Sequence, residues 1–167
     1  MTTLFRSVAL AVFFLILPCG CNSSEKESSG VVGTPILEPA MLLSKDEAKA
    51  LIGVAFDECT VTEQPVVGLK LCVYDKNDAF LQVGLTQGKR ANNTPESIYA
   101  SIKEAFKDAP RIDGLGDDNF LAPPGLHIMQ DGYYITVSLG LLNKDRERLR
   151  AVAAKVLENL KRYTHTS

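Results

Sequence analysis

The chain predicts an α+β domain: an antiparallel sheet of about six strands packed with three helices, in the order α-βββ-α-βββ-α. Three observations carry this reading. Helix starts recur at nearly equal steps, at Ser44, Thr94 and Asn143. Between them, two hairpin patterns alternate apolar and polar residues with the period of a strand. A long amphipathic stretch then closes the chain, and the whole reads as a pseudo-repeat.

The elements follow in order. Ser44-Lys45-Asp46-Glu47 is a capping box that opens a short helix, with Ala48, Leu51 and Ile52 inward and Gly53 ending it. A strand is expected over roughly Phe56–Thr62. The first hairpin pairs Leu71–Tyr74 with Phe80–Leu85 around the three-residue loop Lys76-Asn77-Asp78. Thr94-Pro95-Glu96 opens the second helix with proline in its first turn. Its apolar stripe is Ile98, Ile102, Ala105 and Phe106, and Pro110 stops it. After a strand near Gly116–Leu121, the second hairpin pairs Leu126–Met129 with Tyr134–Leu139 through Asp131-Gly132, a strong two-residue turn signal. Asn143 is the expected cap of the third helix, with Leu149, Val152, Ala153, Val156 and Leu160 inward and Lys161 and Arg162 at its negative end.

Alternation assigns faces to the sheet. Leu126, Ile128, Ile135, Val137 and Leu139 share one face, joined from the first hairpin by Leu69, Leu71, Val73, Leu81, Val83 and Leu85. That face is the expected core. The opposite face carries His127, Met129, Tyr134, Thr136 and Ser138, extended by Lys70 and Tyr74. It mixes aromatic, thioether and polar groups, as interfaces do, and is expected to be at least partly open and to bind a partner.

The N-terminus predicts location. Residues 1–20 carry one early cation, Arg6, an apolar run from Val8 to Leu17 and no acid. Gly20 precedes Cys21, and Asn22-Ser23-Ser24 follow. This is the arrangement of a bacterial lipoprotein signal, with Cys21 as the acylated (palmitate-bearing) residue. Pro18 stands where such signals usually have leucine. Two alternatives stay open: an ordinary cleaved signal with a free Cys21, and an uncleaved anchor. The apolar run is short for the latter, since about 20 residues are needed to span a bilayer. Residues 21–41 read as lipidated cysteine plus flexible tether, polar at Ser23–Gly30 and interrupted by Pro35 and Pro39. Residues 42–167 read as a single domain. The expected location is extracytoplasmic, lipid-anchored to the cell membrane or outer membrane.

Composition bounds the rest. The chain is 46% hydrophobic and 23% charged, ordinary globular usage. Removing the leader with its single cation takes the formal charge from -2 to about -3. Neither sign dominates, so nucleic acid is not an expected partner, and a monomer is expected. Cys19 leaves with the leader. Cys59 and Cys72 remain, an even pair in an oxidising compartment that flanks the turn around Gln64–Gly68. Their midpoint falls between Pro65 and Val66, so a disulfide across a hairpin is expected. A redox or metal pair is the alternative, which neither CxxC spacing nor a nearby histidine supports.

Catalytic patterns are sparse. Asp113-Gly114-Leu115-Gly116-Asp117-Asp118-Asn119 lacks the spacing and closing glutamate of an EF-hand and the lysine of a phosphate loop. It reads as a tight turn whose glycines take positive φ. His127 stands on a strand without a nucleophile pattern nearby. No cofactor, no metal and no catalytic residue is expected.

Ser44–Ala48, the Cys72-Val73-Tyr74 strand, Gly114-Leu115-Gly116-Asp117, the Gly132–Ser138 strand and the terminal helix together resemble a class of small bacterial lipoproteins of unknown function. The chain is similar to the actinobacterial, LpqN-like members with a PsbP-like fold, over roughly Leu42 to Arg162. The resemblance implies an antiparallel sheet packed with helices and an envelope location, and no agreed activity. The expected function is a noncatalytic, membrane-anchored module that binds an envelope protein, glycan or lipid. A small-molecule sensor is the alternative, and a hydrolase a more distant one. A deep pocket over His127, Met129 and Tyr134 favours the sensor.

Overall fold

The computed structural model describes residues 36–89 and 93–165. The leader, Cys21 and most of the expected tether lie outside the described residues. The elements run α1 Pro39–Leu42, α2 Lys45–Ile52, β1 Thr60–Gln64, β2 Leu69–Lys76, β3 Ala79–Thr86, α3 Pro95–Ala105, β4 Asp118–Ala122, β5 Gly125–Gln130, β6 Tyr133–Ser138, a 3-10 turn Gly140–Lys144 and α4 Arg146–Thr164. All six strands form one antiparallel sheet in the order β1-β2-β3-β6-β5-β4. The two βββ units therefore meet through β3 and β6, and the α+β order expected from the pattern holds, with α1 as an added short helix.

The caps form as their chemistry requires. In α2, Ser44 accepts from the Glu47 amide and Glu47 accepts from the Ser44 amide, while Gly53 ends the helix at φ +83. Thr94 and Ser97 make the same reciprocal pair on α3. The third cap is Asp145, which accepts from Arg148 N. Asn143 instead lies in the 3-10 turn and uses its amide to fasten the chain, accepting from Leu139 N and donating to Pro124 O.

The larger core lies on one face of the sheet, under α1, α2 and α4. Leu149, Val152, Ala153, Val156 and Leu160 are buried there, as the helical stripe predicts. They meet Leu81, Val83, Leu85, Leu126, Ile128, Ile135 and Val137 from the sheet. Asn159 is buried among them and donates to Leu42 O and to Glu47, tying α4 to the start of α2.

The first hairpin differs from expectation by one residue. Lys76 pairs with Ala79, so the turn holds two residues, Asn77 and Asp78, with Asn77 at φ +56. It matches the Asp131-Gly132 turn in length, where Gln130 pairs with Tyr133. A three-residue loop shifts β2 by one place, and a one-place shift exchanges the two faces of a strand. Leu69, Leu71 and Val73 therefore lie on the face opposite Val83, and Lys70, Cys72 and Tyr74 lie on the core face.

Cys59 and Cys72 form a disulfide with Cα atoms 5.4 Å apart. They are not directly opposed: Cys72 pairs with Val61, and Cys59 stands just before β1, so the bridge is diagonal. The β1–β2 turn occupies Pro65–Gly68 and is centred one residue later than the midpoint predicts.

The folded body also begins earlier than expected. Leu37 is buried, and both of its backbone groups bond the Gln87 side chain, at 2.7 and 2.5 Å. Residues Leu37–Met41 belong to the domain and not to the tether.

Candidate functional site

The face expected to be at least partly open is largely covered by α3. Tyr99, placed centrally on that helix, is buried against Phe120 at 5.2 Å and Tyr134 at 5.5 Å between ring centroids. Sequence reasoning missed Tyr99, because it falls beside the aliphatic stripe. Ile98 and Ile102 are only half-buried, while Ala105 and Phe106 face solvent. The helix thus buries its aromatic side and leaves its aliphatic edge against a gap.

The second-hairpin residues of the expected binding face lie beneath α3. His127, Tyr134 and Thr136 are buried and Met129 is half-buried, packed in the second core cluster or beside it. Lys70 and Tyr74 are on the other face altogether. Lys70 pairs with Glu38 there. The Tyr74 hydroxyl donates to Leu43 O at 2.5 Å, and burial pushes its pKa up to about 12.

A groove remains where α3 does not reach. It has a volume of about 410 Å³, inside the range of about 300–1,000 Å³ usual for small-molecule sites. One wall is Val67 of the β1–β2 turn with Leu69 and Leu71 of β2, and the other is Ile98 and Ile102 of α3. The floor brings Gln82, Thr86, His127, Tyr134 and Thr136 together, and Pro123-Pro124 closes one end. Leucines 69 and 71 are available to this wall only because of the two-residue turn that sets the register of β2. Gly84 keeps the floor low: a Cβ there would lie 2.3 Å from Thr136 Oγ1 and 3.0 Å from Leu71 Cδ2. Two hollows of about 530 and 600 Å³, beside Lys144 and beside Asn77, lie more open on the surface and lack this set of buried polar groups.

Within the floor, His127 and Tyr134 satisfy each other. His127 Nε2 lies 3.2 Å from the carbonyl oxygens of both Ala122 and Pro123, and Nδ1 lies 2.6 Å from Tyr134 Oη. Carbonyls only accept, so Nε2 carries the proton and Tyr134 donates to Nδ1. The imidazole stacks on Phe120 at 4.6 Å. Burial holds the His127 pKa below the usual value, against the two carbonyl bonds that act to raise it. Burial also pushes the Tyr134 phenol up. A general base needs a lone pair facing the reactant, and that of His127 is already engaged.

At the start of β4, burial would raise the Asp118 carboxyl. The Lys103 hydrogen bond, the nearby Tyr99 hydroxyl and Arg111 overcome this and hold it below the carboxylate range. The Tyr99 hydroxyl is close enough to Asp118 to be pushed up by it, after burial, yet it makes no hydrogen bond of good geometry.

The Gly114–Asn119 loop is a turn built around a side chain. Asn119 is buried, donates to Ile112 O and Leu115 O, and accepts from Ile112 N. Gly114 and Gly116 take φ +74 and +63, as expected of them. A Cβ on Gly116 would meet Met129 O at 2.6 Å. Among the described residues, no three His, Cys, Asp or Glu side chains converge as metal ligands.

No protein family, curated protein or solved structure matches this chain. Architecture and site alone therefore define its class: an α+β domain with one antiparallel sheet, a disulfide and an apolar groove between sheet and helix.

Proposed function

We propose that this chain is an extracytoplasmic lipoprotein anchored through Cys21, whose domain binds a small, largely apolar ligand without turning it over. The groove between α3 and the sheet carries this reading. Its aliphatic walls supply affinity through burial, and its few polar floor groups orient what enters. The engaged state of His127 supports binding over catalysis. A sheet face covered by α3 supports a small ligand over a broad protein interface. The apolar leader that ends in Gly20-Cys21 supports the location.

The test uses N-phenyl-1-naphthylamine, a compact apolar fluorophore. The wild-type domain should take it up saturably. Leu71→Phe fills the groove from the sheet and Ile98→Phe from the helix. Each should weaken uptake by about tenfold or more, with melting temperature nearly unchanged. Equal uptake by all three proteins would exclude the groove as the site. For the anchor, Cys21→Ser should abolish labelling by a fatty-acid analogue in the producing cell, and continued labelling would refute acylation at that residue.

A further inference from the structure

The two most exposed large apolar side chains among the described residues lie at one end of the sheet. Val66 is 79% exposed at the β1–β2 turn, and Ile36 is 66% exposed where the described chain begins. Singly exposed apolar residues are unremarkable, but two held together need a reason. Gln87 ties together the two segments that carry them. It is buried, its amide donates to Gly68 O at 3.3 Å in the β1–β2 turn, and its side chain bonds both backbone groups of Leu37. The turn is itself fixed by Val67 N to Gln64 O and Gly68 N to Pro65 O, so Val66 is presented on an ordered tip.

We propose that the Pro65–Gly68 turn, with Ile36 beside it, is a membrane-contacting tip that seats in the lipid interface when the chain is anchored. The occupant follows from where the chain leaves the domain. Only residues 22–35 separate Cys21 from Ile36, and 14 residues reach at most about 50 Å even when fully extended. An anchored chain therefore holds this end of the sheet within about 50 Å of the bilayer, since the tether leaves from here. Two aliphatic side chains bind a bilayer only marginally on their own. The anchor removes that limit by making contact intramolecular, at high effective concentration. Lys70 pairs with Glu38 beside Ile36, so that carboxylate does not stand alone at this corner.

This inference rests on the lipid anchor proposed above, and its test separates the two. The chain contains no tryptophan, so Val66→Trp and Asp78→Trp each introduce a single reporter, at the tip and at the opposite end of the sheet. The full acylated protein is reconstituted in phosphatidylcholine vesicles with a minor share of phosphatidylglycerol, with and without brominated acyl chains. Flotation reports anchoring, and bromine quenching reports contact. Both positions are exposed, so the fold should be retained, as melting curves will check. Quenching at position 66 by about twofold or more, with none at 78, is the expected result, and Ile36→Asp added to Val66→Trp should reduce it. Flotation with equal, unquenched emission from both positions overturns the contact and leaves the anchor standing. Failure to float overturns the anchor and the contact with it.

Discussion

His127 is kept neutral by its surroundings, so its titration is a property of the fold. In the unfolded chain its pKa lies near 6.5, and burial holds the folded value lower. Between those two values the unfolded chain binds a proton that the folded one refuses. The contribution is therefore complete above about pH 6.5 and is lost progressively as pH falls from there toward the folded value. Asp118 and Glu47 are also lowered, but their contributions are lost only further down, as pH falls through the carboxylate range. Melting temperature should thus decline between pH 7 and pH 5.5 in the wild type and stay flatter in His127→Gln, which starts lower. Identical slopes in the two proteins would remove His127 as the cause. The sequence made His127 and Tyr134 conspicuous as polar residues on one strand face. It could not show that they satisfy each other, because the 2.6 Å bond joins neighbouring strands and needs α3 above them to become buried.

At the scale of elements, one turn decides which residues form the groove. Asp131-Gly132 announces a two-residue turn through its glycine, and the β5–β6 faces follow correctly from it. Asn77-Asp78 lacks a glycine and reads as part of a longer loop, yet Asn77 takes positive φ and closes the same short turn. The resulting one-place difference in β2 moved Leu69 and Leu71 from core to groove wall and Tyr74 from binding face to core. Strand patterns were legible because both sheet faces are apolar enough to alternate. The face of β2 was not legible, because both sides of the sheet are covered and alternation alone fits either. The disulfide was less sensitive to register, since a diagonal bridge also satisfies the usual Cα separation. Protein from an oxidising compartment should show no free thiol at Cys59 or Cys72 by mass spectrometry before reduction. The double variant Cys59→Ala with Cys72→Ala should lose about 2–4 kcal/mol, since the unfolded chain regains loop freedom. Two free thiols in unreduced native material would refute the pairing.

At the scale of the molecule, the domain is closed by contacts between residues far apart in the chain. Pro35 and Pro39 suggested a tether that runs to Met41, and locally nothing contradicts that reading. The contradiction comes from Gln87, fifty positions away, whose amide side chain copies a strand partner for Leu37. Leu42 and Leu43 are then fully buried, Leu43 O receives the Tyr74 hydroxyl, and Leu42 O receives Asn159 from α4. The start of the domain is thus stitched to β2, β3 and α4 in succession, and Gln87 is the outermost stitch. Gln87→Ala leaves a buried N–H and a buried C=O on Leu37 without partners, at a cost of about 1–3 kcal/mol. The loss should be local at first, because Leu43, Tyr74 and Asn159 still hold the next residues. Hydrogen exchange should accelerate at Leu37 to Met41 and remain protected in β3 and β6. In the anchored protein the same variant should weaken lipid contact at Val66, since the tether would then leave from further along the chain. Unchanged protection at Leu37 in Gln87→Ala would mean that packing of Leu42 and Leu43 alone defines where the domain begins.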